Sequence, residues 1–429
     1  MTGKPPIVGY AGMTHLGLNS AVAAAERGFQ MVCFDPDSAR IQELAAGKLP
    51  VVEPDLSEML ARNAARIGFT SDPAKLADCD LVYVAPDVPT DDAGGSDLAP
   101  LTALIGLVDA ALSRDGILVL LSQVPPGFTR KLAPTLTRRT DQLFYQVETL
   151  VFGRAVDRAL NPERFILGCA DPVQALPAPF KAFLDGFNCP LLPMRYESAE
   201  LAKISINCCL VASVSVANTL AELCERIGAD WSEIAPSLKL DRRIGPYSYL
   251  SPGLGISGGN LERDLATVCR MADENGTDAG VVRAWIANSQ YRKDWALRTL
   301  HEEVISRVRT PKLAVLGLAY KEDTHSTKNS PSFALIEQLG PYDLAVYDPV
   351  VPASAAPHPK AVGAVSELAA CQDADALLIM TAWPQFRALD PAAVAAALRG
   401  KTVIDPFRML DPAKARAAGL RHITLGVPA

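Results

Sequence analysis

The chain has 429 residues, of which 49% are hydrophobic and 21% are charged. This length exceeds what a single compact core usually holds, so we expect a globular protein of two or three domains. The formal net charge of −7 at pH 7 argues against a nucleic-acid partner, because nucleic-acid-binding proteins usually carry a basic face.

The nine cysteines show no Cys-x-x-Cys pair and no regular spacing. This pattern is typical of small packing residues in a reducing compartment, so we expect neither a disulfide framework nor a metal site. The N-terminus has no charged segment followed by an apolar run, and we expect no stretch near the ~18 apolar residues that a membrane span requires. We therefore expect a cytoplasmic protein without a membrane partner.

The first 37 residues predict a nucleotide-binding unit. The segment "PPIVGYAGMTHLGLNSAVAAAERGFQMVCFDPD" runs from an apolar strand through a turn and an Ala-rich helix to a second strand that ends at Asp35. The turn, Gly12 to Gly17, has the context of a dinucleotide fingerprint, although a turn that binds nothing is the alternative. Thr14 replaces the middle glycine that admits the pyrophosphate, so we expect a looser cofactor. Asp35 would accept hydrogen bonds from a ribose diol and favour NAD over NADP.

Further apolar strands are predicted in "DLVYVAP", "GILVLLS" and "FILGC". The loops 85–98 and 120–130 lie just beyond two of these strands. In a doubly wound sheet, ligands bind at this carboxyl edge.

A long apolar helix is predicted in "ESAELAKISINCCLVASVSVANTLAELCERIGAD". Because it is apolar on more than one face, it must pack against neighbours, and we expect flanking domains and the second subunit of a homodimer to cover it. Lys203 and Asn207 are four residues apart and share one face. Buried polar groups need partners, so this pair is a candidate site; one solvated edge of the helix is the alternative.

A second strand–turn–helix–strand segment, residues 310–350, ends at Asp348 and is followed by the strands "DALLIMTA" and "KTVIDP". The sequence thus predicts an α/β protein with two doubly wound, Rossmann-like parallel-sheet domains joined by a central helical dimerisation core. We place the boundaries at residues 1–195, 196–308 and 309–429.

Many motifs in the expected order make the chain resemble the UDP-glucose/GDP-mannose dehydrogenase family almost end to end. They include "GKLPVVEPDL", "SQVPPGFTR", "LNPERFILG", "ESAELAKISIN", "DRRIGPYSYLSPGLG" and "VLGLAYKEDT". The resemblance implies an NAD-binding N-terminal domain, a helical dimerisation core and a nucleotide-sugar-binding C-terminal domain. Family members oxidise a sugar CH₂OH to a carboxylate with two NAD⁺.

The family's reaction loop "PGFGFGGSCFPKDL" corresponds without a gap to "PGLGISGGNLERDL" here. Its catalytic Cys falls on Asn260, its Lys on Arg263 and its Asp on Asp264. Lys203 and Asn207 fall on the family's active-site Lys and Asn.

Other positions are retained or replaced. Glu148 matches the first Glu of the family's "NPEFLREG", whereas Val151 and Phe152 replace its Arg and second Glu, and we expect Phe152 to make the reaction centre drier. Gln123 replaces the Thr of "KSTVP". The resemblance implies a catalytic group of Lys203, Asn207, Asn260, Asp264 and Glu148, cofactor contacts at Gly12, Thr14, Gly17, Asp35, Gln123 and Lys321, and substrate contacts at Arg243, Gly255, Arg263 and Lys328. Lys321 and Lys328 are expected near the nucleotide phosphates, with a solvated Lys pair as the alternative.

The family's thiol adds to the aldehyde of the first hydride transfer, and the thiohemiacetal then gives up a second hydride to leave a thioester. The carboxamide of Asn260 cannot form this adduct and offers only hydrogen bonds. We expect Lys203, with Asn207, to stabilise an alkoxide and Asp264 to relay its proton through water, although Asp264 at the start of a helix is alternatively a capping or dipole charge.

Three interpretations follow. The first, which we favour, is a single two-electron oxidation or a redox-neutral conversion of a nucleotide sugar. The second is an inactive sugar-nucleotide-binding homologue that acts as a scaffold or regulator. The third is a full dehydrogenase that uses a non-covalent route.

Overall fold

The computed structural model describes residues 4–51, 53–89, 91, 95–257 and 259–428. The chain divides into two compact units, one holding the described residues up to Ile206 and the other running from Asn207 onward.

The first unit contains an eight-stranded sheet with the strand order β3-β2-β1-β4-β5-β6-β7-β8. The order 3-2-1-4-5-6 of its first six strands is that of the doubly wound fold, which confirms the predicted N-terminal domain. Strands β1 to β6 pair in parallel, whereas β7 runs antiparallel to β6 and β8 follows β7 in parallel. The strands are β1 Ile7–Ala11, β2 Gln30–Phe34, β3 Ile67–Thr70, β4 Leu81–Val84, β5 Ile117–Leu120, β6 Leu143–Gln146, β7 Phe165–Cys169 and β8 Leu191–Arg195.

Helices cover this sheet. The central strands β4 and β5 are buried along their whole length, which explains their unbroken apolar runs, because a parallel sheet is covered on both faces. The helices are α1 His15–Glu26, α2 Ser38–Ala45, α3 Leu56–Arg62, α4 Ala99–Ala111, α5 Phe128–Leu132, α6 Ala155–Leu160 and α7 Ala178–Asp185. Short 3₁₀ turns lie at Ala64–Arg66, Pro73–Asp78, Ala133–Thr135 and Thr140–Gln142.

Helix α8, Tyr196–Ile227, begins in the first unit and ends in the second. It contains an 18-residue window with a mean hydropathy of 1.6, so by length and composition it could cross a membrane. This corrects the expectation that no stretch comes near that requirement. A single such helix is weak evidence for a membrane span, because long apolar helices that are buried inside a protein have the same composition.

The second unit contains a six-stranded parallel sheet in the order β11-β10-β9-β12-β13-β14. This is again the order 3-2-1-4-5-6, which confirms the second doubly wound domain. Its strands are β9 Lys312–Leu316, β10 Asp343–Tyr347, β11 Ala361–Gly363, β12 Ala376–Ile379, β13 Thr402–Ile404 and β14 Arg421–Ile423.

The remaining helices precede this sheet or alternate with its strands. They are α9 Trp231–Leu240, α10 Asn260–Asn275, α11 Gly280–Lys293, α12 Trp295–Leu300, α13 Pro331–Gln338, α14 Glu367–Cys371, α15 Pro391–Ala397 and α16 Pro412–Ala417. A π-helical turn, His301–Ile305, continues α12, and 3₁₀ turns lie at Ala353–Ala355 and Pro384–Ala388.

The turn between β1 and α1 requires glycine at both of its ends. Gly12 has a φ of +94°, which other residues rarely adopt. A β-carbon at Gly17 would lie 2.0 Å from the carbonyl oxygen of Gly12. Helix α1 therefore packs on the turn more closely than any side chain allows.

We predict that Gly17→Ala destabilises the first unit by about 2–3 kcal/mol, because the methyl group forces α1 away from β1. The matched control is Gly106→Ala in α4, because a β-carbon at Gly106 meets nothing within 4 Å. This substitution should stabilise the first unit by about 0.5–1 kcal/mol. The midpoints of urea unfolding, followed by circular dichroism, give both values. Equal midpoints for the two variants would show that the close approach is not a constraint.

Candidate functional site

The first βα turn is fastened to the end of β2. The Gly12 N–H donates to the Phe34 carbonyl at 2.9 Å, and the Met13 N–H donates to Asp35 Oδ2 at 2.7 Å. These bonds hold the N-terminus of α1 just beyond the carboxyl end of β1, where the free N–H groups of a helix attract anions. With Gly12 and Gly17 required by the turn, the arrangement fits the pyrophosphate of a dinucleotide.

Asp35, expected to meet a ribose, is 2% exposed and already engaged by the protein. Its Oδ2 accepts from Met13 and from Arg40 Nη1 at 2.9 Å, and its Oδ1 accepts from the Asp37 N–H at 3.0 Å. Asp35 therefore has a structural role that sequence analysis missed, and its contact with ribose stays a prediction.

Asp348 has the same structural role in the second unit. Its Oδ2 accepts from the Leu318 and Ala319 N–H groups at 2.6 and 3.1 Å, in the turn that follows β9. The signal for this role was present in the sequence, since both strand–turn–helix–strand segments end in Asp.

Thr14 contacts a residue that sequence analysis did not single out. Its Oγ1 accepts from the Asp87 N–H at 2.8 Å, and Asp87 Oδ2 accepts in return from the His15 N–H at 2.9 Å. The loop after β4 is thus joined to the N-terminus of α1 by two reciprocal hydrogen bonds.

A second cluster surrounds the ring of His15. The His15 Nε2 and Glu53 Oε1 atoms are 2.8 Å apart, and buried Glu53 also accepts from the Gly153 and Ala155 N–H groups. The ring of Phe152 stacks on that of His15 with centroids 4.1 Å apart. Phe152 therefore lies beside the cofactor turn, and its effect on the reaction centre stays a prediction.

The loop that carries Gln123 is held by a buried carboxylate. Gln123 is partly buried, and further along this loop the Gly127 and Thr129 N–H groups donate to Glu200 at 2.5 and 2.8 Å. Burial raises the pKa of Glu200 above its usual value. Sequence analysis missed Glu200, although it lies one turn before Lys203 in the same helix.

Lys203 and Glu148 are brought together. Lys203 Nζ lies 2.9 Å from Glu148 Oε1 and donates to the Glu148 carbonyl at 3.1 Å. Both side chains are largely buried, so the idea that Lys203 lies on a solvated helix edge is wrong. The pair forms a cation held by a carboxylate.

Asn207 and Asp264 are also brought together, in the second unit. Asn207 Nδ2 donates to Asp264 Oδ2 at 2.5 Å, and Arg263 Nε lies 3.2 Å from Asp264 Oδ1. Asp264 is 1% exposed. Because α10 begins at Asn260, Asp264 is its fifth residue and not its cap, so the capping alternative is wrong.

Asn260 is the exposed first residue of α10. Lys328 reaches the residue before it, since a β-carbon on Gly259 would lie 3.4 Å from Lys328 Cε. Glu262 accepts from Lys293 Nζ at 2.9 Å and also from Asn329 Nδ2. The loop after β9 is thereby connected to the start of α10.

Gly255, predicted to contact substrate, has a packing role in the structure. Its φ is +81°, and a β-carbon there would lie 2.5 Å from the Ser289 carbonyl oxygen. The next residue, Ile256, donates its N–H to Ser289 Oγ at 2.7 Å. The reaction loop therefore rests directly on α11.

Two further predicted contacts are Arg243 and Lys321. Arg243 has a side chain that is 88% exposed and pairs with Asp241 at 2.6 Å. Lys321 is partly buried, and its Nζ lies 6.0 Å from the ring centroid of Tyr320. Their contacts with substrate and cofactor stay predictions.

Cys208 offers no thiolate for nucleophilic attack at neutral pH. It follows Asn207 in α8, but burial and the negative charge of Asp264 raise its pKa to about 11. At neutral pH it is a protonated thiol, which is a poor nucleophile.

Comparison with known proteins defines the class of protein. Three models of the UDP-glucose/GDP-mannose dehydrogenase family match the chain: the NAD binding domain over residues 7–182, the central domain over 197–290 and the UDP binding domain over 314–412. The chain belongs to this family, and its cofactor is NAD.

The similarity extends along the whole chain. It is 31% identical to the UDP-glucose 6-dehydrogenase of Pseudomonas aeruginosa, covering 97% of this chain and 96% of the relative. It is 29% identical to the UDP-glucose 6-dehydrogenase TuaD of Bacillus subtilis, over 97% and 92%. The UDP-glucose dehydrogenase structure from Pyrobaculum islandicum superposes with a TM-score of 0.85 at 25% identity, over 100% and 99%.

We predict that ionisation of Glu200 lowers stability. Because burial raises its pKa, its contribution to the free energy of unfolding is fully present below the ordinary pKa near 4.5 and declines as the pH rises through the folded value. Wild type should therefore lose stability relative to Glu200→Gln between about pH 4.5 and pH 7. Urea unfolding of both proteins across this range measures the difference, and a difference that grows in favour of wild type with rising pH contradicts the assignment.

Proposed function

We propose that this NAD-dependent nucleotide-sugar dehydrogenase performs a single two-electron step on a nucleotide sugar, without a Cys thioester. The step is either one oxidation of a carbon that bears a hydroxyl group or an oxidation that is later reversed. The observation that carries the proposal is Asn260 at the head of α10, where the family's resemblance places the nucleophilic thiol.

The residues at the cofactor turn suit NAD, which accepts a hydride when bound. Gly12 and Gly17 allow the turn, the N-terminus of α1 faces the pyrophosphate, and Asp35 and Gln123 lie in the adjoining loops. In the second unit we assign Lys321 and Lys328 to the phosphates of the nucleotide sugar, with Arg243, Gly255 and Arg263 as further substrate positions. We assign NAD binding to residues 1–195, dimerisation and the active site to residues 196–308, and nucleotide-sugar binding to residues 309–429.

The Lys203–Glu148 pair supports a role in the oxidation itself. The Lys203 ammonium group, which lies 2.9 Å from Glu148 Oε1, stabilises a developing alkoxide by charge-assisted hydrogen bonding. Asp264 accepts the proton of the hydroxyl group through a water molecule. Asn207 and Arg263 hold both oxygens of Asp264, which supports a fixed orientation for this carboxylate.

The second oxidation lacks its usual intermediate. An amide nitrogen has no basic lone pair, so Asn260 only polarises the carbonyl group that the first oxidation produces. Cys208 is protonated at neutral pH and supplies no thiolate. The carbonyl product is therefore released or reduced again.

An inactive sugar-nucleotide-binding homologue is the second candidate, and one observation favours it. The His15 N–H, at the start of the helix that faces the pyrophosphate, already donates to Asp87. A protein that never takes up NAD would tolerate this contact permanently.

The test is an assay of the purified protein with NAD⁺ and a panel of UDP-, GDP- and CDP-sugars, including UDP-glucose, the substrate in the names of the relatives above. NADH and product mass are scored together. One NADH per sugar with a keto or aldehyde product supports the proposal, as does an altered sugar without net NADH. A uronate with two NADH contradicts it, and no change of any sugar supports the inactive homologue.

We predict that Asn260→Cys raises the yield from at most one NADH per sugar toward two, with a uronate product. A thiol at the first position of α10 benefits from the helix N-terminus, which favours the thiolate. The matched control is Asn260→Ser, which is similar in size to Cys, lacks the thiol and should not gain the second NADH. If Asn260→Cys releases the same product as wild type, the thiol is not the missing group.

We also propose a homodimer formed through α8. Val216, Leu220, Leu223 and Ile227 follow one face at helical spacing and are between 40% and 64% exposed, which supports a covering partner. All nine cysteines are free thiols, which supports a reducing compartment such as the cytoplasm.

Leu223→Glu should convert the dimer into a monomer of 45.7 kDa, because a charge in an apolar interface loses its hydration without gaining a partner. Sedimentation equilibrium measures the mass. Val173→Glu adds the same charge at a loop position that is 92% exposed and should leave the dimer intact. A wild-type protein that is monomeric at every concentration would contradict this interface.

A further inference from the structure

The N-terminus of α1 is the part of the cofactor site that meets phosphate. Helix α1 is twelve residues long and starts at His15, so the His15 N–H is the first helical donor facing the turn. A pyrophosphate bound there needs this donor, because the free N–H groups of the first turn are what the helix offers an anion.

That donor is already in use. Asp87 Oδ2 accepts from the His15 N–H at 2.9 Å, so a carboxylate occupies the position at which a phosphate oxygen would be expected. A carboxylate and a pyrophosphate cannot share one donor, and like charges at contact distance repel each other. The two groups therefore compete for the same place.

Thr14 holds the competing carboxylate in position. Its Oγ1 accepts the Asp87 N–H at 2.8 Å and makes no capping bond to its own helix. A glycine at position 14 would have no such oxygen. The residue that departs from the dinucleotide fingerprint thus anchors the loop that carries Asp87.

Asp87 is free to leave the position. It is exposed, whereas Asp35, which holds the neighbouring Met13 N–H, is buried and also accepts from Arg40 and from the Asp37 N–H. Rotation of the Asp87 side chain breaks one partly buried hydrogen bond and leaves the bond between buried Asp35 and the Met13 N–H intact.

We propose that Asp87 sets the affinity of the cofactor site by occupying the pyrophosphate position until the dinucleotide displaces it. This inference rests on the NAD site of the proposed function. Thr14 would then weaken NAD binding for a specific reason, because its hydroxyl group holds the loop whose carboxylate competes with the pyrophosphate.

Asp87→Asn tests the inference, because it removes the charge and keeps the shape and a hydrogen-bond acceptor. Titration calorimetry of the full-length protein should show NAD and ADP-ribose binding about tenfold more tightly than to wild type. Adenosine, which has no phosphate, should bind wild type and variant equally. A merely structural change in the turn would alter the affinities for all three ligands together.

The matched control is Asp97→Asn, the same change of charge in the same loop. Asp97 Oδ1 accepts from the Ala99 N–H at 3.1 Å at the start of α4, so its replacement should leave NAD affinity within about twofold. Thr14→Ala should also tighten NAD binding. The double variant should gain less affinity than the product of the two separate gains, because both substitutions act on the same Asp87 carboxylate.

Three results decide the inference. Tighter binding confined to the phosphate-bearing ligands supports it, including the case in which only the variant binds NAD measurably. Equal NAD affinity in wild type and Asp87→Asn overturns the inference. The cofactor assignment then still holds, and Asp87 is only a cap of α1. If neither protein binds NAD, both the inference and the proposed oxidation fail.

Discussion

Both doubly wound domains depend on a carboxylate at the end of their second strand, which is buried in the case of Asp35 and half-buried in the case of Asp348. Asp35 and Asp348 each accept backbone N–H groups from the turn that follows the first strand, at 2.7 Å in the first unit and at 2.6 and 3.1 Å in the second. Hydrogen bonds to a charged group that is shielded from water are among the stronger ones in proteins. They fix the turn, and in the first unit this sets the start of α1, the approach of Gly17 to Gly12 and the direction in which phosphate-binding N–H groups point.

The sequence was sufficient for the fold because the relevant signals are local. Alternation of apolar strands with helical segments predicts both sheets, and the turn from Gly12 to Gly17 predicts where the first strand passes into the first helix. The reversal of β7 relative to β6 was not predicted, since a short apolar run has no direction of its own. Helix α8 was predicted as a buried element, but its suitability as a membrane span by hydropathy was underestimated.

The candidate site was predictable only in part. The sequence pointed to Lys203 and Asn207 as a pair that needs partners, but it did not predict that Lys203 would contact Glu148 and that Asn207 would contact Asp264. Asp87, Glu53 and Glu200 were missed because their partners are backbone N–H groups or a His ring far along the chain, and nothing in the spacing of the sequence reveals such contacts. The stacking of Phe152 on His15 was also not predicted, because the motif that contains Phe152 gives no information on its contacts.

We propose that this member of the family keeps the residues for one hydride transfer and has lost covalent capture of the product. The most direct test uses a nucleotide sugar that carries two deuterium atoms on the CH₂OH carbon, with mass spectrometry of the sugar and of the cofactor after turnover. We expect that no more than one deuterium atom leaves the carbon and that no uronate forms. Transfer of both deuterium atoms to NAD, with a uronate as the product, would contradict it.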